Sequence, residues 1–223
     1  MGKLLQPFGS RQELDAAMKV FSNELIAADF TFGLYCKLNE LTRLNKAVYA
    51  RTWAFWLNIS GALLSQAVLD VCRIYDGDHR TNGLPVILRK LILVRGSTDS
   101  KLAEHLKLVI RTDPVVIRLS DWRNEVLAHT NHDRATGKIK PKSENLLLQK
   151  DISTLIERAM KIYSAHSGSF MSREVNRHLV PVREADFIFT TLARRIEDDT
   201  KETRAFLEQQ GVNPDIFLSD GKQ

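Results

Sequence analysis

Cysteine is scarce in this chain of 223 residues. Only Cys36 and Cys72 occur, each in an apolar stretch with no other Cys or His at ligand spacing. That excludes a disulfide scaffold and a zinc site, and it reads as two reduced, buried thiols. Long apolar runs are missing too. The N-terminus, Met-Gly-Lys-Leu-Leu-Gln-Pro, has no apolar core of a targeting segment, and polar residues interrupt the apolar stretches near Trp53 and Leu88. No membrane span is expected, and the location expected is the cytoplasm. Internal repeats and strand patterns are also lacking, since the alternation at Val180 and Val182 is too short to make a strand. No low-complexity block points to disorder beyond the ends.

What is present is an ordinary globular composition, 43% hydrophobic and 26% charged, so fold class has to come from pattern. The formal charge of +5 favours polyanionic partners only slightly, because a charge of this size also serves solubility.

Helical periodicity runs through most of the chain. Ser10 followed by Glu13 is a capping box, and Leu14, Ala17, Met18, Phe21 and Leu25 then recur at helical spacing. The stretch from Asp29 to Gly33 either bends this helix or breaks it. Tyr49 to Tyr75 predicts the central helix of a bundle, with Trp53, Trp56, Leu57, Leu64, Ala67, Val68, Val71 and Ile74 on a broad inward face. A turn-rich segment, Asp76 to Gly83, leads to a shorter helix from Leu84 to Val94, with Pro85 in its first turn. Another short helix covers Lys101 to Ile110. Asp113-Pro114 then sets a helix start, Asp as N-cap and Pro at the first helical position, with Val115, Leu119, Trp122 and Val126 as the core stripe. Helices are also predicted from Asp151 to Tyr163 and from Pro181 to Gln210, the last closed by Gly211. Short connections between such helices predict an all-α antiparallel bundle over residues 10–165, with an additional C-terminal helix and tail over 166–223.

One segment is chemically loaded: Asp121-Trp-Arg-Asn-Glu-Val-Leu-Ala-His129. Arg123 is a permanent cation, Asn124 an amide, and His129 an imidazole that titrates near neutrality. Such a set can cleave RNA without metal. Histidine takes the proton from a ribose 2′-hydroxyl or returns one to the leaving oxygen, and arginine stabilises the charge growing on phosphorus. Residues six apart on an ideal helix differ by ~120° in azimuth and ~9 Å along the axis. Arg123 and His129 therefore meet only if the helix ends near Ala128 and turns back, or if a second copy supplies the missing group. The loop after His129 carries Arg134, Lys138, Lys140 and Lys142, the densest basic stretch in the chain and a candidate contact for RNA backbone. The plain alternatives are a solvated loop and a surface ion pair of Arg123 with Asp121. Likewise Asp70, Arg73 and Asp76 read as helical ion pairs, with the alternative that one of them faces the cleft and orients His129. Trp53, Phe55 and Trp56 read as core, and His79, His105, His166 and His178 lack ligand spacing.

Arg123-Asn124, then Ala128-His129, resembles the signature of the HEPN superfamily: Arg with a polar residue after it, four to six residues, then His. The surrounding chain resembles the abortive-infection, AbiU-type HEPN group, with its aromatic-rich long helix (Trp53 to Tyr75), acidic turn (Asp76-Gly-Asp78) and Arg-Asn-x-x-x-Ala-His. An acidic residue soon after the His is frequent in the family, whereas here His132 and Asp133 stand at an offset that does not align. The resemblance implies a helical bundle that dimerises with both motifs facing one cleft. It also implies a metal-independent, cofactor-free endoribonuclease of phage defence or toxin type, leaving 2′,3′-cyclic phosphates. His129 would be the general acid or base, Arg123 would stabilise the phosphorane and Asn124 would position the pair. RNA, a second copy and in some cases an antitoxin protein are the partners it implies. Other HEPN members are inactive scaffolds or nucleotide-binding modules, so the alternative is a non-catalytic module that binds a protein or nucleotide through the same cleft.

Overall fold

The protein is described from a computed structural model covering residues 5–95, 99–124, 147–167 and 180–214. Seven helices are present among these residues, and no strand. They are α1 (Arg11–Leu44), α2 (Lys46–Ile74), α3 (Leu84–Arg95), α4 (Ser100–Lys107), α5 (Pro114–Trp122), α6 (Gln149–Ser167) and α7 (Val180–Gln209). The fold is all-helical, as the periodicity predicted.

Helix ends follow the local chemistry of the sequence. At the start of α1, Ser10 Oγ accepts the Glu13 N–H at 3.2 Å, and Glu13 Oε2 reaches back to the Gly9 N–H at 2.8 Å. The capping box thus closes one residue further out than its usual form. The stretch from Asp29 to Gly33 neither breaks nor ends α1, which continues to Leu44. Asp113 caps α5 by accepting the Val115 and Val116 N–H groups at 2.9 and 3.2 Å. At the far end of α7, Gly211 takes φ +70°, the Val212 N–H donates to Leu207 O and the Gly211 N–H to Glu208 O. That pair of bonds is a Schellman close, which needs the left-handed residue that glycine supplies.

The chain packs as two compact units: Met1–Phe32 with Leu63–Arg177, and Gly33–Ala62 with His178–Gln223. In the first, Phe21 and Leu25 of α1, Val68, Val71 and Ile74 of α2, Ile87 and Leu88 of α3, Leu102 of α4, Leu119 of α5 and Leu155 of α6 are all buried. Each such side chain stabilises the unit by roughly 1.5–3 kcal/mol. All five inward positions predicted for α6, Ile152, Leu155, Ile156, Ala159 and Ile162, are buried. The Tyr75 hydroxyl donates to Leu155 O at 2.8 Å, tying the end of α2 to α6.

The second unit is smaller. Trp56 packs on Phe189 with ring centroids 4.4 Å apart, and its indole N–H donates to Thr52 Oγ1 at 2.8 Å. Thr52 in turn donates to Val48 O, and its backbone leaves helical geometry (φ −132°, ψ 21°), which kinks α2. The kink changes which aromatics face inward. Trp56 is buried, whereas Trp53, Phe55 and Leu57 are 55–57% exposed, against the sequence-based expectation of core. An apolar groove of about 510 Å³ lies beside Trp56, Phe189 and Leu38.

By length and composition α2 is apolar enough to cross a membrane, with 33% of its most apolar window buried in the fold. The sequence-based expectation of no span rested on the polar residues that interrupt the apolar stretch near Trp53; Asn58, Ser60, Ser65 and Gln66 in that region carry no charge.

Candidate functional site

Helix α5 is tied down before it presents anything. Arg118 binds the buried Asp151 carboxylate of α6 at 2.8 and 3.3 Å. Burial pushes that carboxyl up, but Arg118, the Leu148 N–H and Lys150 outweigh it and hold Asp151 below the usual range. Arg158 of α6 pairs with Asp113 at 3.1 Å and donates to Leu108 O at 2.7 Å. Two crossed ion pairs therefore fix the rotation of α5 about its axis.

Val116, Leu119, Ser120 and Arg123 fall at i, i+3, i+4 and i+7, so they share one face of α5. The buried stripe runs through Val116 and Leu119, while Val115 and Trp122, expected in the core, are half-buried. The expected stripe was misplaced at its start by one residue, and the arginine of the motif lies on the packed face and not on a free one. Arg123 keeps helical geometry (φ −56°, ψ −49°), and its N–H donates to Leu119 O and Ser120 O.

That face closes a cavity of about 390 Å³ in the first unit. Its walls come from the end of α2 (Cys72) and the residues just after it (Tyr75, Asp76), from α3 (Pro85, Arg89), from the segment after α4 (Arg111) and from α5. Three guanidinium groups line it, those of Arg89, Arg111 and Arg123, against one carboxylate, Asp76. Arg89 Nη1 donates to Gly77 O at 3.3 Å. Arg111 donates from Nε and Nη2 to Ser120 Oγ at 3.1 and 2.9 Å. Arg123 Nε donates to Asn124 Oδ1 at 3.3 Å. Neutral oxygens orient all three cations, and among the described residues none is neutralised by an ion pair. The Cys72 thiol is pushed up to about 12 by burial, against the pull of the Arg123 charge beside it. It is a wall, not a nucleophile.

Arg123 and Asn124 are thus in contact, and Arg123 lines a cationic cavity. His129, Arg134, Lys138, Lys140 and Lys142 lie outside the described residues, as do His132 and Asp133. Arg89 and Arg111 were missed by sequence reasoning, because they sit 34 and 12 positions before Arg123 and only the fold brings them together. Asp76 was seen as one of a row of ion-pairing residues. In the structure only Asp70 and Arg73 of that row pair, at 3.0 Å, and Asp76 turns to the cavity.

A second missed pair lies elsewhere in the first unit. His105 Nδ1 and His166 Nε2 are 2.9 Å apart, although the two residues are separated by 61 positions. Burial, and then the neighbouring His105, lower the His166 pKa. Among the described residues no group of three or more His, Cys, Asp or Glu stands close enough to hold a metal ion.

The all-helical fold, with Arg123 and Asn124 at the end of a short helix, is consistent with a HEPN-type helical module. The AbiU2 family of HEPN proteins matches residues 11–185, from the start of α1 through the motif into α7, and the chain belongs to this HEPN family of abortive-infection proteins. No curated protein and no solved structure matches the chain.

Proposed function

We propose that this protein is a metal-independent endoribonuclease of the HEPN type, acting in the cytoplasm as a homodimer in phage defence or as a toxin. The observation that carries the reading is the placement of Arg123, the family's motif arginine, in a cavity with two further arginines and a single carboxylate. A phosphodiester undergoing attack gathers negative charge on its non-bridging oxygens, and preorganised guanidinium groups are suited to it. Asn124 holds the Arg123 side chain by its Nε, leaving the outer nitrogens for phosphate. His129, five residues beyond Asn124, supplies the general acid or base. The two-fold dimer brings a second motif to the same cleft, and the loop with Arg134, Lys138, Lys140 and Lys142 follows the RNA backbone.

The test is cleavage of mixed RNA in EDTA by the wild-type protein, Arg123→Ala and His129→Ala, with sedimentation to establish the dimer. Wild type cleaves, and each variant loses about a hundredfold or more in rate, the range for removing a general acid or base or a charge-stabilising donor. A folded His129→Ala protein that cleaves at the wild-type rate would overturn the assignment. An antitoxin partner would show as a second protein that silences the cleavage.

A further inference from the structure

Arg89 and Arg111 have no part in the Arg–His motif, yet they face the cavity that Arg123 faces. Arg89 comes from α3, where it is half-buried and anchored on Gly77 O. Arg111 comes from the segment between α4 and α5, its guanidinium laid along Ser120, one turn before Arg123 on the same face of α5. A guanidinium has five N–H donors, and these contacts use one in Arg89 and two in Arg111, all to uncharged oxygens. The remaining donors and the full positive charges are available to an anion. The rest of the lining mixes polar residues such as Tyr75 and Ser120 with the buried Val109 and Val116, and a cavity of about 390 Å³ is of ligand size. Asp76, whose Oδ1 already accepts the Asp78 N–H at 3.0 Å, repels a phosphate from its own side.

We propose that this cavity is a phosphate-ester subsite that seats one nucleotide of the RNA strand beside the cleaved bond. Arg89 and Arg111 hold its phosphate. The assignment rests on the ribonuclease reading for the strand it serves, and the chemistry it recognises, a phosphate ester, also fits a free nucleotide. It makes Arg89 and Arg111 binding residues for the substrate, while Arg123 is shared with the reacting phosphate.

The experiment measures binding of a fluorescein-labelled oligoribonucleotide in EDTA at several salt concentrations. It compares His129→Ala, in which bound RNA is not consumed, with the same protein carrying Arg89→Gln, Arg111→Gln or Arg111→Lys, each checked for its far-ultraviolet circular dichroism and urea midpoint. For a single strand, each phosphate neutralised contributes about 0.7 to the slope of log K against log salt. Either Gln variant is expected to weaken binding about fivefold to twentyfold at low salt and to flatten that slope measurably, by at most about 0.7 since both arginines share one phosphate, while Arg111→Lys keeps the slope. Unchanged affinity and slope in both folded Gln variants overturn the subsite. Adenosine monophosphate is the second probe. If it binds in an Arg111-dependent way while the oligonucleotide does not depend on either arginine, the cavity serves a free nucleotide and the strand assignment is wrong. Cleavage by the wild type separates the two readings: arginine-dependent binding without cleavage sinks the ribonuclease and keeps the subsite. Cleavage with an unchanged slope does the reverse.

Discussion

Asp113 performs two tasks whose energies can be separated. Its carboxylate caps α5 through the Val115 and Val116 N–H groups, and it pairs with Arg158 of α6 at 3.1 Å, both side chains being less than one-fifth exposed. Asparagine caps as well as aspartate does but carries no charge. Asp113→Asn should therefore lose only the charge-assisted bond, about 1.5–2 kcal/mol given the partial burial. Asp113→Ala also loses the cap, about 1 kcal/mol more, for a total of about 3 kcal/mol. In a chain of this length that corresponds to a fall in Tm of about 6–12 °C. The assay is urea unfolding at pH 7 followed by circular dichroism, with m held constant so that the midpoint reports stability. A double-mutant cycle of Asp113→Asn with Arg158→Met should return a coupling of about 1 kcal/mol or more. Equal losses in Asp113→Asn and Asp113→Ala, or a coupling near zero, would refute the division of labour and with it the claim that α5 is held by crossed ion pairs.

Other consequences can be checked more briefly. A Cβ at Gly83 would collide with the Asp76 carbonyl, backbone against backbone, so Gly83→Ala should cost about 1–3 kcal/mol and should also weaken any ligand of the neighbouring cavity. A midpoint unchanged from wild type would contradict the close approach. Burial and His105 hold the His166 pKa below its usual 6.5, with Arg95 and Lys101 lowering it further and Asp99 opposing them. The unfolded chain then binds the extra proton more readily, so this contribution is complete above about pH 6.5 and is lost as pH falls towards the folded value. His166→Gln should flatten the loss of urea midpoint between pH 7.5 and 5, and an undiminished slope would remove His166 as its source. With its thiol pushed up to about 12, Cys72 is about one part in ten thousand thiolate at pH 8. Mass spectrometry after maleimide treatment should find it unlabelled in the folded protein and labelled in urea, and equal labelling in both would mean that the cavity wall is open.

The local parts of this structure were legible in the sequence because their causes are local. Ser10 and Glu13, Asp113 and Pro114, and Gly211 mark helix ends through bonds that span a few residues. The inward face of α6 follows from a clean helical period. Where the reading slipped, a side-chain bond that the helical period does not register had intervened. The back-bond from Thr52 kinks α2 and exposes Trp53 and Phe55. The ties from Arg118 and Arg158 turn α5 so that Val116 is buried and Arg123 shares the packed face. The candidate site was half legible. Arg123 and Asn124 are adjacent in the chain and carry the family's pattern, whereas Arg89, Arg111 and Asp76 become neighbours of Arg123 only when three helices and a connecting segment converge. No spacing rule brings such residues together, and the same holds for His105 and His166.

The central claim is that Arg123 and His129 drive attack by a ribose 2′-hydroxyl on the adjoining phosphate. The measurement that meets it most directly is analysis of product ends from an oligoribonucleotide cut in EDTA, beside the same strand carrying a single 2′-deoxy sugar at the cleaved position. The account predicts 2′,3′-cyclic phosphate ends from the all-ribose strand and no cut at the deoxy position. Cleavage at the deoxy sugar, or products with 3′-hydroxyl ends, would contradict it.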